Sequence, residues 1–266
     1  MVEAQDKIRV NPRFVFLRSL CSLVAIPERI LMKIEIFADA QTVAEEAAKL
    51  IANDARSAIA QRGRFVFAVS GGHTPWIMLR ALAKEDVPWD KVHLAQIDER
   101  VAPAGDPDRN LTHLQESLLE NAPLPPNQIY AMPVESSDLE TGAKEYAKVL
   151  EQIAGAPPVF DLVHLGLGPD GHTASLVPGD PVLQVSNADV GVTGIYQGRR
   201  RMTLTYPVLN RARRVLWLLT GAEKVEMLQR LTKADPSIPA GRINQERALV
   251  FADRAAAGEL GPVGTV

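Results

Sequence analysis

Apolar positions recur along this chain in two alternating rhythms. From Asp39 to Gln61, Val43, Ala47, Leu50, Ile51, Ala55 and Ile59 fall at helical spacing, and Gly63 supplies a stop. Phe65-Val66-Phe67-Ala68-Val69 follows as a nearly all-apolar run, the form a strand takes when both faces are covered. The chain then turns through Ser70-Gly71-Gly72-His73 into a helix expected to have Thr74 as its cap and Pro75 at its first position. The alternation continues with a strand over Val92 to Ile97 and a helix over Asn110 to Glu120. After Ile129 to Met132, a helix from Asp138 to Ala154 leads to a strand over Phe160 to Leu165. Strands near Arg201 to Thr205 and over Val215 to Leu219, a helix over Ala222 to Leu231 and a strand over Leu249 to Ala252 complete the series. Met32 to Phe37 reads as the opening strand. Strands alternating with helices predict an α/β fold, a doubly wound, mostly parallel sheet with helices on both faces.

No break in composition and no internal repeat interrupts residues 32–266, which are expected to form one domain. Residues 1–31 read differently. Phe14 to Ile26 is moderately apolar but interrupted by Arg18 and lacks a persuasive small-residue cleavage site, so an extension, poorly ordered, is expected there.

Composition narrows the function classes. A chain of 266 residues with 46% hydrophobic content can bury a substantial core. Its formal charge of −3 argues against general nucleic-acid affinity, and no apolar run is long enough to span a bilayer. Cys21, the single cysteine, rules out an intrachain disulfide and fits a reducing compartment, so a cytoplasmic location is expected. The expected partner is a small molecule, bound by a monomer or a small homo-oligomer.

The predicted strand ends carry the chemistry. Phe160 to Leu165 runs into Gly166-Leu167-Gly168-Pro169-Asp170-Gly171-His172, where glycines deliver an Asp and a His two residues apart. A His placed so, with a carboxylate beside it, is a candidate general base. The same run matches G-x-G-x-x-G, but that fingerprint must open a long helix, and Pro178, Gly179 and Pro181 prevent one. Ser70-Gly71-Gly72-His73-Thr74 frees backbone N–H groups at a helix start, which suits either a phosphate cradle or an ordinary turn. Asp98-Glu99-Arg100 offers a guanidinium beside two carboxylates, for an anion or for a structural ion pair. Lys224, in the first turn of a helix, is oddly placed for a cation unless an anionic ligand is its partner. Among the six arginines between Arg199 and Arg214, Arg201 enters a strand and is the candidate for reaching a phosphate; with no aromatic platform, nucleic acid is not expected. His93 and His164 lie inside apolar strands and read as packed histidines. No His/Cys spacing resembles a zinc site, and Ala68-Val69-Ser70-Gly71-Gly72 is not a nucleophile elbow.

Taken in order, Ser70-Gly71-Gly72-x-Thr74-Pro75, Asp98-Glu99-Arg100, Asp106 to Asn110, Gly166-x-Gly168-x-Asp170-Gly171-His172-Thr173-Ala174-Ser175-Leu176, Arg201-x-Thr203-Leu204-Thr205 and Gly221-x-x-Lys224 resemble the 6-phosphogluconolactonases. The likeness runs from about Met32 to Arg254. It implies a Rossmann-like fold shared with glucosamine-6-phosphate deaminases, and hydrolysis of 6-phosphoglucono-δ-lactone without a cofactor or metal. In the deaminases Ile-Ala-Phe-Asn-Glu-Pro follows the Gly-His and Asp-Glu-Tyr replaces Asp-Glu-Arg; Thr173 to Pro178 and Arg100 follow the lactonase pattern instead. Val177 replaces a common Phe, and Arg109 replaces a common Ser and is expected to alter the charge at the mouth of the site.

The resemblance implies His172 as the base acting on water, with Asp170 orienting it and Asp98 as the alternative orienting partner. Gly71, Gly72, Thr74, Arg201 and Lys224, beside Ser70, would hold the phosphate, and Arg100 would contact the phosphate or the carbonyl oxygen. An amino-sugar deaminase and a non-catalytic sugar-phosphate sensor are the rival readings.

Overall fold

A computed structural model describes residues 32–260; the extension expected over 1–31 lies outside the described residues. Ten strands occur among them: β1 (Lys33–Phe37), β2 (Phe65–Val69), β3 (Val92–Gln96), β4 (Asp98–Arg100), β5 (Ile129–Tyr130), β6 (Leu162–Leu165), β7 (Val190–Val192), β8 (Arg201–Leu204), β9 (Val215–Leu219) and β10 (Ala248–Asp253). Seven of these form one sheet in the order β1-β10-β9-β6-β2-β3-β5, with every neighbouring pair parallel. The α/β class and the parallel sheet are those the sequence predicts.

Two apolar cores lie one on each face. On one side α1 (Ala40–Arg62), α2 (His73–Leu82) and α3 (Asn110–Leu114) pack Val43, Ile51, Met78, Leu79 and Leu114 against Phe65, Phe67, Leu94 and Leu216. On the other, α4 (Leu139–Ala154), α5 (Tyr206–Arg211), α6 (Val225–Thr232) and α7 (Arg254–Ala257) pack Tyr146, Leu150, Leu209, Leu228 and Ala256 against Val66, Val163, Leu165 and Trp217. Strands covered on both faces need apolar residues at every position, which is why β2 and β9 are buried throughout. Helix α1 shows the local logic: Asp39 caps it by accepting from the Thr42 N–H at 2.8 Å, and Gly63 ends it at φ 77°, a left-handed turn that favours glycine.

The chain places β3 and β5 on one side of β2, then returns to lay β6 on the other. The carboxyl ends of β2 and β6 therefore flank a topological switch point, where open α/β sheets bind ligands.

Three features depart from the sequence reading. A second sheet, β4-β8-β7, is antiparallel; β8 is the strand expected near Arg201 to Thr205, but β4 and β7 were not expected, β4 being three consecutive charged residues, Asp98-Glu99-Arg100. The helix expected over Asn110 to Glu120 is a short α3 followed by a π turn over Gln115–Leu119. Thr74 does not cap α2: Gly72 holds the cap position without a side-chain bond, and the Thr74 hydroxyl lies 2.6 Å from that of Thr220, joining the first turn of α2 to the loop after β9.

Candidate active site

A crevice of about 630 Å³ opens at the carboxyl ends of β2, β6 and β9, within the usual range for a small-ligand site. Ser70, Gly71 and Gly72 from the loop after β2, Thr74 from the first turn of α2, Asp98 and Arg100 from β4, His172, Arg201 from β8 and Lys224 all line it. Nine of the ten residues singled out from sequence thus meet in one place, and the tenth, Asp170, stands behind His172.

His172 and Asp170 form a dyad. Nδ1 of His172 lies 2.5 Å from Oδ1 of Asp170, which also accepts from the His172 backbone N–H at 3.1 Å. A carboxylate can only accept, so in the neutral ring the imidazole proton sits on Nδ1 and Nε2 keeps a lone pair. The second oxygen of Asp170 accepts from the Tyr196 hydroxyl at 3.1 Å. Burial works against the charge on Asp170, but the hydrogen bonds and charge of His172, with the Tyr196 bond, outweigh it and hold the carboxyl below its ordinary value. Gly168 is indispensable to this arrangement. A Cβ there would stand 2.1 Å from Nδ1 of His172, so only glycine lets the ring lie across the loop.

Asp98 is not the orienting partner. Its buried carboxylate accepts from Ser70 Oγ at 3.3 Å, Ser175 Oγ at 2.7 Å and Asn110 Nδ2 at 3.4 Å, and it makes no bond to His172. It ties together the loop after β2, the base loop and α3. Asn110 in turn accepts from Arg100 and bonds the Asp98 carbonyl at 2.9 Å, so it fixes the guanidinium against the site floor.

The cationic side is built on an unfavourable register. Arg100 and Arg201 are directly opposite across the antiparallel β4–β8 pair, where like charges destabilise a sheet. Among the described residues neither reaches a carboxylate at ion-pair distance: Arg100 donates to Asn110, and Arg201 donates to Gln197 Oε1 at 3.1 Å and stacks its guanidinium 4.9 Å over the Tyr196 ring. Burial, and then the Arg100 charge, hold the Arg201 guanidinium below its ordinary value. Lys224 donates to the Leu167 carbonyl at 2.8 Å across the same crevice. Three cations face a glycine-rich helix start, an arrangement that suits an anion. Asp98 and Asp253, which also line the crevice, are held by neighbouring donors, while Glu223 lines it beside Lys224.

The other arginines of the cluster are engaged elsewhere. Arg199 pairs with Asp106 and Asp108, Arg211 with Asp189, Arg213 with Asp161 and Arg214 with Asp54. Arg109 does not charge the mouth of the site as expected. It is buried, with Nη1 2.5 Å from Glu135 and Nε 3.6 Å from Glu99, because the chain folds it under α3. Tyr196, Gln197 and Asn110 are site residues that sequence reasoning passed over. Only Asn110 had a signal, its place in the Asp106 to Asn110 stretch.

His164 sits beneath the loop after β2, fully buried, its Nδ1 accepting from the Ser70 N–H at 3.4 Å. Burial pushes its pKa down to about 3 from an ordinary 6.5. Between those values the unfolded chain binds a proton that the folded chain refuses, so stability present above pH 6.5 is lost as pH falls. At pH 5 the loss from this group is about 2 kcal/mol. Urea unfolding at pH 7 and pH 5 should show a flatter pH response in His164→Gln than in the unmodified protein; equal responses would mean that His164 does not carry the acid sensitivity.

Fold and site define the class: an open α/β protein whose switch-point crevice sets Arg100, Arg201 and Lys224 beside an Asp–His pair. The family profile described as glucosamine-6-phosphate isomerases/6-phosphogluconolactonase matches residues 38–251. A 6-phosphogluconolactonase of Synechocystis sp. is 36% identical over 85% of this chain and 97% of its own length. The chain belongs to the 6-phosphogluconolactonase family. The crystal structure of 6-phosphogluconolactonase from Thermotoga maritima superposes with a TM-score of 0.73 at 26% identity, over 83% of this chain and 98% of that one. A monomeric glucosamine-6-phosphate deaminase shares the fold, with a TM-score of 0.75 at 18% identity over 85% of this chain and 99% of the deaminase. Among the described residues no helix is long and apolar enough to cross a membrane.

Proposed function

We propose that this chain hydrolyses 6-phosphoglucono-δ-lactone to 6-phosphogluconate, the second step of the oxidative pentose phosphate route, with His172 as general base. The observation that carries the reading is the pairing of two sites in one crevice: the Asp170–His172 dyad, and the facing guanidiniums of Arg100 and Arg201, which lack an acidic partner at ion-pair distance among the described residues. A substrate that is both an ester and a phosphate needs both. The relatives' names support the same reaction.

In this mechanism Nε2 of His172 takes a proton from water as the water oxygen attacks the lactone carbonyl carbon. The carbonyl becomes a tetrahedral oxyanion, whose collapse breaks the bond to the ring oxygen, and the imidazolium returns the proton to that leaving oxygen. Asp170 holds the ring in the required tautomer and stabilises the imidazolium. The lactone is already electrophilic, so a positioned base and a charged cradle suffice. Arg201, Lys224 and the Gly71-Gly72-Thr74 loop hold the phosphate, and Arg100 reaches either it or the carbonyl oxygen. Anchoring the remote phosphate positions the reacting carbon.

Lys224→Ala is expected to raise KM about tenfold, equivalent to about 1.4 kcal/mol, with kcat little changed, as for a contact equally strong in ground and transition states. Steady-state kinetics on freshly made lactone tests it, and an unchanged KM would place the phosphate away from Lys224. The activity itself is tested by hydrolysis of that lactone above its spontaneous opening. Ammonium release from glucosamine 6-phosphate without lactone turnover would favour the deaminase, and tight sugar-phosphate binding with neither reaction would favour a sensor.

A further inference from the structure

Between β7 and β8 the chain makes a two-residue turn that the proposed chemistry has not used. Tyr196 and Arg199 bridge as an antiparallel pair, with N···O distances of 2.9 and 3.3 Å, and the two residues between them are both left-handed, Gln197 at φ 50° and Gly198 at φ 82°. That is the geometry of the tight hairpin turns that match strand twist; Asn-Gly is usual there, and Gln197 occupies it at some conformational cost. The turn is held from outside by Arg199, bonded to Asp106 and Asp108 at 3.1 and 3.0 Å, and from inside by Gln197, which accepts from Arg201. Ile195, preceding it, points to solvent at 78% exposure, while Tyr196 turns inward.

Among the described residues the Tyr196 side chain touches Asp170, His172 and Arg201, each a residue of the site. Its hydroxyl donates to Oδ2 of Asp170, its ring stands edge-on to His172 with centroids 5.5 Å apart, and its face lies under the Arg201 guanidinium at 4.9 Å. Asp170 has no other side-chain partner besides His172 among the described residues, and its side chain is 35% exposed. Without the phenol, one carboxylate oxygen would face solvent and the group could swing about its terminal torsion, which is broad for Asp. Burial and the Asp170 charge push the phenol's pKa up, which favours its protonated, donating form.

We propose that Tyr196 is a positioning residue for the lactonase reaction, its hydroxyl locking the carboxylate that orients the base and its ring seating the guanidinium that grips the anion. The inference rests on the lactonase reading above. One side chain then sets the distance between the proton-accepting atom and the phosphate anchor. Two substitutions separate the functions. Tyr196→Phe removes only the hydroxyl and should lower kcat about three- to tenfold with KM for the lactone held within about twofold. Tyr196→Leu removes the ring as well and should add a rise in KM of similar size. Because the hydroxyl acts through Asp170, the double variant Asp170→Asn/Tyr196→Phe should be no slower than Asp170→Asn alone.

Binding of 6-phosphogluconate, measured by calorimetry, supplies a readout independent of turnover: affinity unchanged in Tyr196→Phe and weakened in Tyr196→Leu. A Tyr196→Phe variant with unaltered kcat, or with kcat and product affinity reduced together, would overturn the proposal. Failure of the underlying reading looks different, since the unmodified protein would then neither open the lactone above background nor bind the product.

Discussion

Replacing His172 with alanine is expected to slow the catalysed opening of 6-phosphogluconolactone by at least about a hundredfold, the low end for loss of a general base. The argument is geometric. Asp170 accepts from Nδ1 and leaves Nε2 as the one basic atom of the imidazole, while Gly168 clears the space that lets the ring lie where it does. Alanine removes the base without disturbing Arg100, Arg201 or Lys224, so 6-phosphogluconate should still bind with affinity close to that of the unmodified protein. The lactone opens spontaneously, and that rate must be subtracted before the variants are compared. A variant with near-normal turnover would take His172 out of the mechanism and require another base in the crevice.

Glu99→Ala is expected to cost about 3–5 kcal/mol of stability, the range found when one member of a buried charged network is removed. Glu99 is fully buried and saturated. Its carboxylate accepts from Gln96 Nε2 and from the backbone N–H groups of Arg100, Asn110 and Leu111, each at 2.8 Å, and faces the Arg109 guanidinium at 3.6 Å. Two of those donors are the first N–H groups of α3, so a side chain from β4 does the work of a helix cap. Alanine would strand these donors in a dry interior and leave Arg109 with Glu135 as its one acidic partner among the described residues. Urea unfolding would reveal the loss as a lower midpoint, and a change under about 1 kcal/mol would mean that water or a neighbour takes over the acceptor role.

Much of the site was legible because glycines and polar residues at strand ends are unusual against apolar surroundings. Ser70 to Thr74 and Gly166 to His172 stand out from β2 and β6 for that reason, and the helices expected from Asp39 and from Asp138 are α1 and α4, each of which the structure shows capped by that aspartate. What stayed hidden depends on partners distant in sequence. No local pattern marks Asp98-Glu99-Arg100 as a strand, since its pairing is supplied by β8 about a hundred residues later. Asp98 looked like a partner for His172 until Ser70, Ser175 and Asn110 were seen to share its oxygens. Arg109 looked exposed because its neighbours Asp106 and Asp108 are polar, yet Glu99 and Glu135 draw it inward. Tyr196 lay in a stretch with neither period, and only the turn at Gln197-Gly198 aims it at the base.

The small antiparallel sheet has a bearing on how the protein comes into being. A chain made from its N-terminus completes β2 and the glycine cradle early, but Arg100 has nothing to pair with until β8 exists, and Lys224 follows later still. Closing so long a loop is entropically costly and comes only when the intervening segments are in place. An unfinished or prematurely ended chain therefore owns pieces of the crevice without its grip, and competence arrives in one late step rather than by degrees.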